Sequence, residues 1–197
     1  LVLPPAVAPI QVVIIPIATH KEGVLEEAMK LKDSLKAAGL RVFLDDSDRM
    51  PGWKFSEYEM KGVPIRLEIG PRDIANNQCV AVSRDNREKT IVPLEDVAKE
   101  IPVLLEALHA RMLGRAETFM KERIYDVDNL DDFVKTMEDK PGFIRAAWCG
   151  SADCEAKIKE LTTATSRCLE EDGDTDGSVC VVCGERAQHS VFWGKAY

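Results

Sequence analysis

Five of the six cysteines lie in the last 49 of the 197 residues, and their spacing is that of a metal site. Cys149 and Cys154 form a Cys-x4-Cys pair, and Cys180 and Cys183 form a Cys-x2-Cys pair followed by glycine. In a reducing compartment such pairs are typical of Zn²⁺ held by four thiolates, which leave no open position for water. The sequence therefore predicts one structural zinc ion.

Two other side chains compete as ligands. Cys168 lies between the two pairs in the segment TTATSRC, where a strand-like core cysteine is the plainer interpretation, and His189 is a weaker rival. Clustered cysteines also form disulfides in small secreted domains. Because the first residues carry no basic and apolar leader, we expect a cytoplasmic protein and a zinc site instead.

A second set of residues suits recognition of single-stranded RNA. Trp53, Phe55 and Tyr58 alternate with charged side chains, and aromatic faces can stack on unpaired bases. Carboxylates accept hydrogen bonds from base amino groups, while Arg and Lys bind base edges and phosphates. The charged residues are Lys54, Glu57, Glu59 and Lys61, followed by Arg66, Arg72, Asp73 and Lys89. The structural alternative is that Trp53 and Phe55 are core residues and the charges form a solvated rim.

The net charge of −8 does not exclude an RNA partner, because the acidic excess lies in the second half of the chain. Residues 94–197 carry 13 basic and 21 acidic residues, whereas residues 61–93 carry six basic and four acidic ones. Salt screens charges beyond about 8–10 Å, so an acidic chain can still present a local cationic surface. No apolar run is long enough to span a membrane, and no membrane partner is expected.

The pattern of apolar residues predicts an α/β fold in the first half. Residues 11–17 form a β-branched run typical of a buried strand, residues 24–38 have helical spacing, and residues 41–44 form a second strand. This βαβ unit is followed by a short helix at 53–61 and by three more predicted strands, which gives a five-stranded sheet. We predict two covering helices, one over residues 94–99 and a longer one that starts at Pro102.

The second half is expected to form a smaller α+β domain. Its predicted elements are helices at 130–138 and 154–161 and strands at 143–149 and 190–193, with a mobile acidic loop at 170–177. We place the domain boundary near residues 100–110. The first domain is assigned to residues 1–105, with 1–9 as an entering linker, and the second to 106–197.

Several strings resemble the anticodon-binding domain of prolyl-tRNA synthetases. They are LPPAVAPIQVVIIPI, DDSDRMPGWKF, KGVPIRLEIGPRD and SRDNREK, and they occur in one order along the chain. The strings AAWCGSADCEAKIKE, TTATSRC, CVVCG and the terminal KAY resemble the zinc-bearing C-terminal domain of the archaeal and eukaryotic-like branch of that family. The terminal KAY is similar to tails that reach back toward the catalytic domain.

This resemblance implies a class II anticodon-binding fold, a mixed five-stranded sheet flanked by helices, followed by the zinc domain. It also implies a pocket for the proline anticodon, lined by Phe55, Glu59, Arg66, Arg72, Asp73 and Lys89. Members of the family often carry Lys where Arg72 stands. Arg keeps the charge but offers a planar fork of donors, so the contact with a base edge changes its geometry.

By the same resemblance, the complete enzyme attaches proline to tRNA(Pro) using ATP, and ATP and proline bind only in a catalytic core that would precede residue 1. We therefore expect this part of the chain to be inactive alone. Its partners would be tRNA(Pro) and its own catalytic domain, and the complete enzyme would be a homodimer.

Two other functions remain open at this point. One is the anticodon domain of a threonyl-, histidyl- or glycyl-type synthetase, against which the TTATSRC and CVVCG strings argue. The other is a free-standing, zinc-stabilised RNA-binding or regulatory module derived from a class II synthetase.

Overall fold

The computed structural model describes residues 1–171, 173 and 175–196. The chain divides into two compact units, Leu1–Gly114 and Arg115–Tyr197, and the division point lies inside a long helix. Our assignment of separate functions to residues 1–105 and 106–197 stays a prediction. Among the described residues, no helix combines the length and the apolar character needed to cross a bilayer.

The first unit contains five strands and four helices among its described elements, joined by a short 3-10 turn at Leu94–Asp96. The elements are β1 (Val12–Pro16), α1 (Val24–Ala37), β2 (Val42–Leu44), α2 (Pro51–Met60), β3 (Ile65–Ile69), α3 (Pro71–Ala75), β4 (Gln78–Ser83), β5 (Lys89–Pro93) and α4 (Val97–Lys121). The sheet order is β2-β1-β3-β4-β5. Strands β2, β1 and β3 run parallel to one another, and the β3–β4 and β4–β5 pairs are antiparallel, so the predicted mixed five-stranded sheet is confirmed.

The two faces of this sheet differ in how far they are covered. Val12 and Ile14 of β1 point into a core that α1 and α4 close, whereas Val13 and Ile15 pack against Tyr58 of α2. On that second face, α2 lies over the β1 side, while Ile91 of β5 is 63% exposed. The α2 face therefore stays open over the antiparallel strands.

Two local predictions for the first unit are wrong. No helix is predicted between the third and fourth strands, but residues 71–75 form α3, because the Asp73 carboxylate accepts the Gly70 N–H at 2.8 Å and caps the helix. The two helices expected on either side of Pro102 form one helix after the 3-10 turn, with Pro102 inside it. Val97, Ile101 and Leu105 line one buried stripe across this position, and their burial offsets the hydrogen bond that proline removes.

The second unit folds around a four-stranded sheet. Besides the last part of α4 it contains β6 (Ile124–Asp126), α5 (Leu130–Asp139), β7 (Phe143–Trp148), α6 (Ala152–Thr162), β8 (Ala164–Leu169) and β9 (His189–Lys195). The sheet order is β6-β7-β9-β8, with β6 and β7 parallel and the other pairs antiparallel. Trp193, Phe133 and Ile158 are fully buried in its core.

The interpretation of Cys168 as a core residue is wrong, because its side chain is exposed. Ser166 pairs with Trp193, but a bulge follows and Cys168 pairs with Phe192, whose neighbours Val191 and Trp193 point into the core. The predicted mobile loop includes Asp172 and Asp174, and the predicted terminal tail includes Tyr197. These three residues lie outside the described ones.

Candidate functional site

A buried polar network fixes α2 to the loop that follows β2. Pro51 begins the helix at its first position, where its missing N–H costs no hydrogen bond. Lys54 is only 2% exposed; its Nζ donates to the Asp45 carbonyl at 2.8 Å and lies 3.3 Å from the Asp45 carboxylate. The Tyr58 hydroxyl donates to the other carboxylate oxygen at 3.0 Å. Sequence reasoning placed Lys54 among the recognition residues, and this part of the prediction is wrong.

The carboxyl of Asp45 stays ionised in this network. Burial alone would raise its pKa, but hydrogen bonds from Ser47, Tyr58 and Lys54 outweigh burial, so the pKa lies below its ordinary value. Burial, together with the same carboxylate, raises the pKa of the Tyr58 hydroxyl. The network therefore holds α2 through a charged pair, and α2 carries Phe55 and Glu59, two of the six residues predicted to line the anticodon pocket.

Phe55, Glu59 and Arg66 are brought together on the α2 face of the sheet. The Arg66 guanidinium lies 3.9 Å from the centre of the Phe55 ring, a cation–π contact. Its Nη1 is 3.3 Å from the Glu59 carboxylate, and its Nη2 is 2.8 Å from Glu68. The Arg66 side chain is only 14% exposed, whereas that of Glu59 is 36% exposed. Glu59 can therefore still accept a hydrogen bond from a ligand, while Arg66 holds it in place.

The other three residues predicted to line the anticodon pocket, Arg72, Asp73 and Lys89, lie apart from this cluster. Lys89 shares the same sheet face, because β-pairing places Arg66, Val82 and Lys89 in one row. Arg72 is exposed in α3, just after β3 ends, and Asp73 caps that helix. Within residues 1–171, 173 and 175–196, the side chains of Arg72 and Lys89 make no hydrogen bond or ion pair. Both cations are therefore available to a ligand.

Two arginines that sequence reasoning did not select border the same cluster. A recess of about 20 Å³ is lined by Glu59 and Arg66 together with Arg84 and Arg87 from the β4–β5 turn. The Arg84 Nε lies 3.4 Å from the Glu59 carbonyl oxygen. The available sequence signal is the run of charges in SRDNREK, from which our sequence analysis selects only Lys89.

The four predicted metal ligands converge in the second unit. Cys149 follows β7 directly, and Cys154 lies in the first turn of α6, which Ser151 caps by accepting the Asp153 N–H. Cys180 and Cys183 lie in a tight turn closed by hydrogen bonds between Cys180 and Glu185 and between Gly184 and Cys180. The four Sγ atoms all lie within 4.8 Å of one another.

The distances between these sulfur atoms fit one tetrahedral metal ion. Cys149 Sγ lies 3.7 Å from Cys154 Sγ and 3.7 Å from Cys183 Sγ. A tetrahedron with Zn–S bonds of about 2.3 Å has edges of about 3.8 Å. All four cysteines are free thiols and not disulfides. The donor set therefore fits a zinc ion, and Cys168 and His189 lie outside it.

The surroundings of the Cys180 sulfur favour its thiolate form. Burial raises its pKa, but backbone N–H groups of Cys183, Val182 and Cys149 outweigh this and lower it to about 7. Burial among neighbouring thiols raises the pKa of Cys154 to about 12, an effect that a bound cation reverses. The turn is tied to β7, because the Val181 N–H donates to the Ala147 carbonyl at 3.0 Å.

Comparison with known proteins gives the family. A family model described as an anticodon binding domain matches residues 11–104, and one described as the C-terminal part of prolyl-tRNA synthetase matches residues 130–197. A proline–tRNA ligase of Clostridium botulinum is 54% identical over 195 residues, and one of Lachnospira eligens is 52% identical over 197 residues. These matches cover 99% and 100% of the chain. The chain belongs to the prolyl-tRNA synthetase family.

Solved structures of prolyl-tRNA synthetases have the same fold. The Cryptosporidium parvum enzyme in complex with halofuginone and AMPPNP superimposes with a TM-score of 0.93 at 38% identity over the whole chain. The Giardia lamblia enzyme in complex with prolyl-adenylate gives a TM-score of 0.90 at 35% identity. The predicted family and fold are confirmed. The chain spans 41% of the length of the two bacterial relatives and 42% and 44% of the solved chains.

Proposed function

We propose that residues 1–105 recognise the anticodon of tRNA(Pro) as part of a proline–tRNA ligase. The observation that carries this proposal is the cluster of Phe55, Glu59 and Arg66 on an open sheet face of a fold shared with prolyl-tRNA synthetases. Unpaired bases are read by carboxylates and guanidinium groups held in fixed positions, and Arg66 holds Glu59 in this way.

Each predicted recognition residue has a role that its surroundings support. Glu59 accepts from a base amino group, and Arg66 orients it while packing on Phe55. Arg72 supplies donors to a base edge or phosphate, and Lys89 contacts a phosphate from the same sheet face as Arg66. Asp73 positions Arg72 by capping the short helix that carries both residues.

The remaining activity belongs to the longer protein. We propose that the complete chain attaches proline to tRNA(Pro) with ATP, through a catalytic domain outside these residues, in the cytoplasm and as a homodimer. We also propose that Cys149, Cys154, Cys180 and Cys183 hold one Zn²⁺. Bound there, the ion supplies a four-coordinate cross-link with no open position for catalysis.

Replacement of Arg72 by Gln tests the anticodon proposal with little risk to the fold. Arg72 is exposed and its side chain makes no hydrogen bond or ion pair with a described residue, so Arg72→Gln should leave the melting temperature unchanged. Loss of a base-edge contact should weaken binding of a tRNA(Pro) transcript by about 1–3 kcal/mol, or roughly 5- to 150-fold, in filter binding.

The matched control is Lys36→Gln, which removes one exposed charge from α1 on the opposite side of the sheet. It should leave the affinity for tRNA(Pro) unchanged. Arg72→Lys should retain a larger part of the affinity than Arg72→Gln, because it keeps the charge. Equal affinity of the Arg72→Gln variant and the unsubstituted chain would remove Arg72 from the site.

A further inference from the structure

The β4–β5 turn carries two arginines that form no ion pair with any described residue. Arg66 is different, because it is flanked by the carboxylates of Glu59 and Glu68. Arg84 reaches only the Glu59 backbone carbonyl, at 3.4 Å, and Arg87 makes no side-chain hydrogen bond or ion pair within the described part of the chain. This surface therefore presents cations beside the Phe55–Glu59–Arg66 cluster.

The acidic residues of the same turn are already engaged elsewhere. The Asp85 carboxylate is fully buried and accepts two hydrogen bonds of 2.9 Å from Arg111 of α4. Glu88 accepts from the Asn86 side-chain amide at 3.0 Å. The hydrogen bonds and ion pair described for these two carboxylates involve Arg111 and Asn86 and not the two arginines of the turn.

The backbone of Arg87 gives a second, independent observation. Its φ is +61°, in the left-handed region, where Gly, Asn or Asp is favoured and other residues are strained. The Arg87 N–H closes the turn by donating to the Ser83 carbonyl at 2.9 Å. Arginine is a costly choice at this position, and a strained residue beside a binding surface points to a role for its side chain.

We propose that Arg84 and Arg87 bind phosphates of the single-stranded RNA whose bases contact the Phe55–Glu59–Arg66 cluster. The recess between them is about 20 Å³, the size of a water molecule, so it cannot take a base. The arginines instead border the open sheet face, next to Lys89, where a strand of RNA would pass. Guanidinium groups bind phosphate oxygens in a bidentate manner. This inference rests on the proposed RNA-binding function.

Salt dependence measures such contacts directly. The full 197-residue chain and its Arg84→Gln and Arg87→Asn variants would be titrated with a tRNA(Pro) transcript and with a non-cognate tRNA at several salt concentrations. Each lost phosphate contact should make the negative slope of log affinity against log salt shallower by about 0.7. The double variant Arg84→Gln with Arg87→Asn should make it shallower by about 1.4. Both tRNAs should be affected alike, because phosphates carry no sequence. Lys36→Gln should leave both slopes unchanged.

The Arg87→Asn variant separates a role in RNA binding from a role in stability. Asn tolerates the left-handed conformation, so its melting temperature should equal or exceed that of the unsubstituted chain while its affinity for RNA falls. A structural role for Arg87 would instead lower the melting temperature and the affinity together, and that result would overturn the proposal.

The titrations separate this inference from the function on which it rests. Unchanged slopes in both arginine variants, with a preference for tRNA(Pro) intact, would overturn the phosphate sites alone. Equal binding of cognate and non-cognate tRNA by the unsubstituted chain would overturn anticodon recognition, while lowered slopes would still support the phosphate sites. If the unsubstituted chain bound neither tRNA, both proposals would fail.

Discussion

Replacement of Cys180 by serine is expected to remove the metal ion and to unfold much of the second unit. Cys180 is the ligand whose thiolate the backbone stabilises most directly, because three N–H groups lower its pKa to about 7. Serine cannot supply a thiolate, so the site would keep three ligands. Structural zinc contributes about 10–16 kcal/mol in small zinc domains, and losing one ligand removes a large part of that free energy.

The size of this effect follows from what the site joins. Cys149 and Cys154 lie where β7 gives way to α6, and Cys180 and Cys183 lie in a separate turn. A metal ion bound by all four cysteines would therefore link two segments that are far apart in the chain. Elemental analysis should give about one zinc per unsubstituted chain and much less in Cys180→Ser. We expect a chelator to reduce the helical signal of the unsubstituted chain, and adding Zn²⁺ should restore it.

Cys168→Ser is the matched control, because it makes the same chemical change at an exposed cysteine of the same unit. It should keep its zinc and its melting temperature. Zinc retained in Cys180→Ser, or lost in Cys168→Ser, would show that the ligand set is wrong. An unsubstituted chain that is metal-free and fully folded would show that the metal is not structural.

The first sheet could be predicted because its sequence signals are local. The run VVIIP is apolar on both faces, and β1 is indeed buried on both. The helical spacing of α1 ends beside Gly39, which has a φ of +84°. By contrast, α3 is five residues long, too short for any helical period to appear, and its stability comes from the Asp73 cap. Short elements of this kind cannot be recognised from periodicity.

The cysteine cluster could be predicted from the sequence for a different reason. Thiolate pairs at close spacing carry their chemistry in the pattern itself, and the four cysteines are close together in the structure. The exposure of Cys168 was not accessible, because it depends on a β-bulge that changes which face a strand residue occupies. The position of Arg87 in the left-handed region was equally hidden, since only the folded turn defines that φ.

The burial of Lys54 could not be predicted from its neighbours. It lies between Trp53 and Phe55, and charged residues beside aromatic ones are typical of a surface. Its partner, Asp45, is nine residues away in a loop, and the pair exists only when α2 packs on β1. This network decides where Phe55 and Glu59 lie, so its loss should be costly.

Replacement of Lys54 by methionine is expected to destabilise the first unit strongly. Methionine retains most of the aliphatic volume but leaves the Asp45 carboxylate buried without its cation. Removing one partner of a buried ion pair costs about 3–5 kcal/mol, a large fraction of the stability of a single domain. Urea unfolding followed by tryptophan fluorescence should report the change, because Trp53 adjoins the site. The control Lys30→Met removes the surface ion pairs of Lys30 with Glu26 and Glu27 in α1 and should unfold like the unsubstituted chain.

A second substitution and the pH dependence show whether the unpaired Asp45 carboxylate causes the destabilisation of Lys54→Met. The double variant Lys54→Met with Asp45→Asn should regain more than half of the lost stability, because the amide is neutral and can still accept from Tyr58. In the unsubstituted chain the pKa of Asp45 is lowered, so its contribution is lost as pH falls through that pKa. In Lys54→Met the unpaired Asp45 carboxyl is expected to have a raised pKa, so its protonation should stabilise the folded variant. The difference in stability between the two chains should therefore shrink from neutral pH toward about pH 4. A difference independent of pH, together with no recovery in the double variant, would mean that Lys54 acts through packing alone.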